Sequence, residues 1–327
     1  MEIKLIKQII IRQILNRTNN NKKKIIFLKI FFISNLGFLL YLIYLYIIYY
    51  KIIRYPQDIF SSHKVFIESH KGVNREVCQN TLEAFKRAIQ YDIEAMETDI
   101  WITKDNVLII AQASGPKGGL NKYYDHPGNI VDLTYEEISN FRTKRDNLKI
   151  PTLKELLELA KNKIFLNLEI KDKRVDLVFP YLIQLIEEYD FFDQISLSSF
   201  NHKYYYKIKK YNKMKNKNII FGNIYGKSKD YNFNRNGNSL NIPWNHASKE
   251  ICDKAHENGM AVLAYFKVND KENVKIYKKL FQNGVDVICC NEPLLAKNFR
   301  DNYYIKNSIN RLFFKLIILI KKYLKNF

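Results

Sequence analysis

IFLNLEIK (residues 164–171) decides the fold. Ile164, Leu166, Leu168 and Ile170 are apolar, while the positions between them run Phe165, Asn167, Glu169 and Lys171. Successive side chains on a strand point to opposite faces, so this run predicts a strand with one apolar face and one face that becomes charged toward its C-terminal end. AMETDIWI (95–102) has the same pattern: Glu97 and Asp99 share a face with Trp101, and Met96, Ile100 and Ile102 take the other. In a parallel barrel the apolar faces meet the helices, so the charged faces point into the lumen.

Six further apolar runs read as strands: 65–70, 195–200, 218–225, 239–244, 260–268 and 285–290. Amphipathic stretches lie between most of them, at 81–90, 152–161, 178–189, 202–211, 248–258 and 271–282. Helix punctuation supports these assignments: Thr152 after Pro151, Ser248 before KEICDKAHENG, and Gly259 and Gly284 as C-terminal stops. Eight strands with interspersed helices in about 250 residues predict an α/β protein built as a (β/α)8 TIM barrel. A doubly wound open sheet is the alternative, but no Gly-rich phosphate loop follows the first strand. Residues 105–150, with the apolar run Val107–Ile110, GPKGG at 115–119 and a short helix near 134–141, read as a small insertion over the barrel mouth.

Three carboxylates, Glu97, Asp99 and Glu169, thus converge with Lys171 near one mouth. Burying three unpaired carboxylates is costly and implies a cation among them. All-oxygen ligation favours a hard divalent ion, Mg²⁺ or Ca²⁺. His70 ends the first strand at the same mouth and is a candidate acid/base.

The chain is 327 residues long with a net charge of +20. That charge is concentrated in three segments. Residues 1–24 carry seven Lys/Arg against Glu2, residues 203–230 nine Lys against Asp230, and residues 301–327 six Lys/Arg against Asp301. Elsewhere the chain is close to neutral, and no nucleic-acid module accompanies the charge, so no nucleic-acid partner is expected. Residues 25–50 are almost wholly apolar, with 21 uncharged residues from Ile30 to Tyr50, about the ~20 that a bilayer-spanning helix needs. The sequence therefore predicts a basic arm (1–24), a transmembrane helix (25–50), a barrel domain (60–300) and a basic, apolar tail (301–327). Lys/Arg density before the span places the N-terminus in the cytosol and the barrel on the lumenal or extracellular side. The tail segment 311–327 fits either a membrane surface or a terminal helix on the barrel. Cys78, Cys252, Cys289 and Cys290 lack metal-type spacing and read as core residues at least as readily as disulfides.

Ten short motifs, in order, resemble the glycerophosphodiester phosphodiesterase family. They are HKG (70–72), QNTLEAF (79–85), ETD (97–99), TKDNVLII (103–110), DLTYEEI (132–138), IPTLKELL (150–157), LNLEIK (166–171), SSF (198–200), VN (268–269) and GVDVICCNEP (284–293). The resemblance spans roughly residues 63–300. It implies a barrel hydrolase that cleaves glycerophosphodiesters, or lysolipid headgroups near a membrane, with one divalent cation. By resemblance, Glu97, Asp99 and Glu169 are metal ligands, and Lys71, Lys171 and Asn80 lie by the substrate phosphate. His70 is then the first of two acid/base histidines. The chain departs from the family pattern at several positions: Lys71 stands for Arg, Gln79 for Glu, Phe266-Lys267 for Trp-Thr, and Cys290-Asn291 for Thr-Asp. The second catalytic histidine falls on Gln112, whose amide cannot shuttle protons. His126, in the same insertion, is a candidate substitute. These departures predict a slow enzyme; the alternative is an inactive relative that binds phosphodiester or lipid headgroups.

Overall fold

The computed structural model describes residues 64–304, residue 235 excepted. The predicted arm and transmembrane helix, and the tail from 305 onward, lie outside the described residues. Among those that are described, no helix is long and apolar enough to cross a membrane.

Eight parallel strands close into a barrel: β1 (Phe66–His70), β2 (Ala95–Ile102), β4 (Phe165–Ile170), β5 (Ile195–Ser199), β6 (Ile220–Ile224), β7 (Ser239–Pro243), β8 (Ala261–Tyr265) and β9 (Val287–Cys290). Closure is explicit, because β1 pairs with β2 on one side and β9 on the other. Every strand read from the sequence is present. The alternation also holds. Met96, Ile100, Ile102, Leu166, Leu168 and Ile170 sit in the core shared with the helices, while Phe66, Leu263, Val287 and Cys289 form a small apolar plug inside the barrel.

Helix starts follow the predicted caps. Thr152 and Glu155 form a reciprocal capping box at Leu153–Ala160, and the Ser248 hydroxyl accepts from the Ile251 amide before Lys249–Glu257. Gly284, in the left-handed conformation, ends Val274–Asn283. Between β6 and β7, where a regular barrel repeat has a helix, the described residues hold only the 3-10 turn Ser228–Asp230.

Two findings were not visible in the pattern. The apolar run at 107–110 contains a ninth strand, β3 (Leu108–Ile110), which pairs antiparallel with the end of β2, Ile100 opposite Ile110. β3 launches the insertion, which buries its own cluster of Ile109, Leu120, Tyr124, Ile130 and Ile138 around Trp101. The predicted domain boundary at 300 falls inside a helix over 293–304. There Arg300 is buried on Glu94 at 2.5 Å, and the Val65 amide donates to the Tyr304 hydroxyl. The first residues of the predicted tail therefore pack on the barrel. All four cysteines are free, and three are buried.

Candidate active site at the barrel mouth

Register places the acids together. Asp99 on β2 lies beside Glu169 on β4, and Glu97 lies beside Asn167 one layer below. Carboxylate oxygens of Glu97, Asp99 and Glu169 all lie within 4.8 Å of one another, and all three residues are buried. The lysines named from the sequence join them. Lys171 Nζ is 2.5 Å from Glu169 and 3.1 Å from Asp99, and Lys71 Nζ is 2.8 Å from the other Asp99 oxygen. Burial would raise the Asp99 pKa, but the Lys171 and Lys71 ammonium groups override it and hold the carboxyl well below the usual range. Glu97 and Glu169 go the other way, pushed up by burial first; for both, the neighbouring carboxylate charge of Asp99 adds to the rise.

The residues fit a hard divalent cation. Two ammonium groups face three carboxylates, and Glu97 Oε1 is buried with neither a hydrogen bond nor an ion pair among the described residues. Asp99 Oδ1 and Glu169 Oε1, among the described residues, are met only by the Lys171 ammonium group. Three convergent carboxylates with an unpartnered oxygen form an oxygen-donor set for such an ion.

The turn after β1 aims two of these groups. Lys71 and Gly72 both have positive φ, 62° and 77°. A Cβ on Gly72 would come within 2.7 Å of the Ala84 backbone in the helix Leu82–Gln90, so only glycine fits there. This bend turns Lys71 back into the mouth, where its amide donates to Glu97 and its ammonium group to the Gln112 amide oxygen. Asn80 is fully buried. Its Nδ2 donates to Asp99, and its Oδ1 accepts from the Thr98 hydroxyl and the Asp99 amide. These bonds make it a residue that holds Asp99 in place.

His70 has a defined tautomer. Asn291 Nδ2 donates to the Lys267 carbonyl and to Glu272, which fixes the amide orientation. Asn291 Oδ1 then accepts from Asn74 Nδ2 at 2.7 Å and from His70 Nδ1 at 3.0 Å. The His70 proton is therefore on Nδ1. Nε2 carries a free lone pair and lies 3.8 Å from Glu97. Burial, with the Lys71 charge adding to it, pushes the His70 pKa down to about 3, so the ring is neutral.

Gln112 is half-buried, with its backbone amide donating to the Tyr124 hydroxyl. His126 pairs with Asp125 at 2.9 Å, stacks on Phe141, and is more than half exposed. Neither it nor Gln112 is among the residues lining the site cavity, which has a volume of about 270 Å³; Gln112 reaches the site through its contact with Lys71.

Sequence reasoning passed over Glu68, although β1 alternation places it on the same face as His70. It is 3% exposed and lines the same cavity. Burial pushes its carboxyl up to about 7, partly offset by hydrogen bonds from Asn167 and Cys289. Between the ordinary value of 4.5 and about 7, the folded chain holds a proton that the unfolded chain releases. Stability therefore falls as pH rises through this window. Glu68→Gln is expected to flatten that decline by roughly 2–4 kcal/mol, measured by urea denaturation at several pH values across it.

Clustered carboxylates and ammonium groups at the C-terminal mouth of a (β/α)8 barrel define an enzyme site for an anionic substrate. Residues 70–295 match the model of the glycerophosphoryl diester phosphodiesterase family, and the chain belongs to that family. It is a glycerophosphodiester phosphodiesterase-like hydrolase. The glycerophosphodiester phosphodiesterase of Caldanaerobacter subterraneus subsp. tengcongensis is 29% identical over 245 residues, covering 70% of this chain and 95% of that protein. A human lysophospholipase D is 28% identical over 136 residues, 37% of this chain and 41% of its own length. Among solved structures, a Galdieria sulphuraria protein assigned as a glycerophosphodiester phosphodiesterase superposes with a TM-score of 0.65 at 25% identity, over 72% of this chain and 98% of that one. An Oleispira antarctica phosphodiesterase, solved with the product sn-glycerol-3-phosphate, shares the fold with a TM-score of 0.64 at 20% identity, over 74% and 99%.

Proposed function

We propose that this chain hydrolyses a glycerophosphodiester to an alcohol and glycerol phosphate, using one Mg²⁺ or Ca²⁺ held by Glu97, Asp99 and Glu169. The observation that carries this reading is the buried carboxylate trio, with Glu97 Oε1 unpartnered. A hard divalent ion bound there would offset charge on the phosphoryl oxygens. Lys71 and Lys171 turn their ammonium groups toward the phosphate. His70 Nε2 accepts the proton of the attacking water as its oxygen bonds to phosphorus. The phosphorus–oxygen bond to the alcohol breaks, and the leaving oxygen takes its proton from solvent, because the Gln112 amide is too weak an acid to transfer one. Lacking that second acid/base, the enzyme is slow.

The apolar run at 25–50 supports a membrane-anchored enzyme with a cytosolic N-terminus, for which lysolipid headgroups are substrates within reach. The test is release of choline from glycerophosphocholine and from lysophosphatidylcholine by the full chain, with Mg²⁺, Ca²⁺ or EDTA. Metal-dependent release from either substrate is the expected result. Release that persists unchanged in EDTA would overturn the metal assignment.

A further inference from the structure

Between Asp193 and Asp230 the chain holds nine lysines with no acidic residue and no arginine, and seven of the nine lie in residues 203–217. The helix Lys203–Lys215 carries most of them and packs on the barrel through Tyr204 and Ile208, which are buried. Lys203, Tyr206, Lys210, Lys213 and Met214 recur at three- to four-residue spacing, so they share the opposite face. All five are exposed. Tyr206 is 61% and Met214 68% exposed, more than any other large hydrophobic side chain among the described residues.

Helix stability does not account for this face. Lys203 and Lys207 sit in the N-terminal turns, at the positive end of the helix dipole, and the first turn has no acid. Lys203 and Lys207, and again Lys209 and Lys213, are four residues apart, a spacing at which like charges repel. The neighbouring helix Val175–Glu188 relieves little of this. Of the lysines in 203–217, only Lys207 has a carboxylate partner among the described residues, Asp176 at 2.6 Å. Lys209 and Lys217 lie over the rings of Tyr205 and Phe192 instead. The face begins at the rim of the site. Phe200, three residues before the helix, is half exposed and lines the site cavity, and Lys227 and Lys229 are exposed just beyond the end of β6.

We propose that the outward face of Lys203–Lys215 is a docking surface for an anionic lipid bilayer. Its lysines meet the lipid phosphates and carboxylates, while Tyr206 and Met214 enter the interfacial layer. Three features favour lipid over another polyanion. The charge is all lysine, with no arginine to fork onto a nucleic-acid phosphate or a guanine edge. An aromatic ring and a thioether project among the lysines, as interfacial helices require. On the membrane-anchored reading, the apolar run at 25–50 also holds the barrel within reach of a bilayer, which makes docking an intramolecular step. Docking brings the rim at Phe200 toward the headgroup layer.

The experiment is lysine acetylation of the full chain, read by mass spectrometry. It is run on vesicles of phosphatidylcholine alone and of phosphatidylcholine with about one-third phosphatidylserine, at about 0.1 M and about 1 M salt. At the lower salt, Lys210 is expected to react about tenfold or more slowly on the anionic vesicles. At the higher salt that protection is expected to vanish. Lys278 and Lys279, exposed on the helix Val274–Asn283 between β8 and β9, are expected to react equally throughout. Lys203→Gln combined with Lys213→Gln is expected to lower the docked-to-undocked ratio by roughly 25-fold, about fivefold for each charge removed, and so to abolish the protection of Lys210. Equal reactivity of Lys210 on the two vesicles, or equal protection of Lys278 and Lys279, would overturn the docking surface. Protection by a DNA duplex but not by anionic vesicles would assign the face to nucleic acid and overturn it too. Flotation before labelling separates the surface from the anchor: a chain absent from neutral vesicles yet protected on anionic ones loses the anchor and keeps the surface.

Discussion

Glu97→Gln is expected to lower turnover of a glycerophosphodiester by roughly 10³-fold or more. Charge stabilisation by a bound ion contributes several kcal/mol to a transition state, and each 1.36 kcal/mol is tenfold in rate. Glutamine keeps the shape and can still accept from the Lys71 amide, as Glu97 Oε2 does. Its effect is therefore electrostatic. The same substitution removes a buried carboxyl whose Oε1 has no partner, so the metal-free protein is expected to melt higher than wild type. Adding Mg²⁺ or Ca²⁺ is expected to raise the melting temperature of wild type and to leave that of the variant unchanged. Activity and metal-free stability thus move in opposite directions. A variant that still melts higher on adding metal, or that turns over at the wild-type rate, would remove Glu97 from the ligand set.

Gln112→His is expected to raise turnover by ~10²–10⁴-fold, the usual contribution of one positioned acid/base. The site is prepared for it. The Tyr124 hydroxyl accepts from the residue 112 amide, and the side chain meets the Lys71 ammonium group. A histidine built there can give the leaving oxygen its proton, and it adds a second limb to the pH–rate profile. The effect is expected in kcat with little change in KM, because the Lys71 and Lys171 ammonium groups proposed to meet the phosphate are untouched. Unchanged turnover in this variant would mean that the slow step lies elsewhere.

The eight barrel strands and the meeting of Glu97, Asp99 and Glu169 were legible because two-residue alternation carries the facing of every side chain along a strand. The Thr152 and Ser248 caps were legible for a similar reason, since the cap and the amide it serves lie within three residues. The Gln112 substitution was visible only through the resemblance. Nothing local marked Asn291 as the residue that sets the His70 tautomer, since the two are 221 positions apart. Asn80 was expected at the substrate phosphate, yet its bonds to Asp99 and Thr98 depend on how the β1 turn packs against β2.

The barrel, the charged mouth and the identity of the acids were readable from residue spacing along single strands and helices. Only packing between distant strands settles which oxygen of Glu97 is left without a partner among the described residues, which nitrogen of His70 is open, and that Glu68 and Asn241 face one cavity. Those are properties of groups brought within hydrogen-bond range from distant strands, where burial removes the water that would otherwise satisfy them.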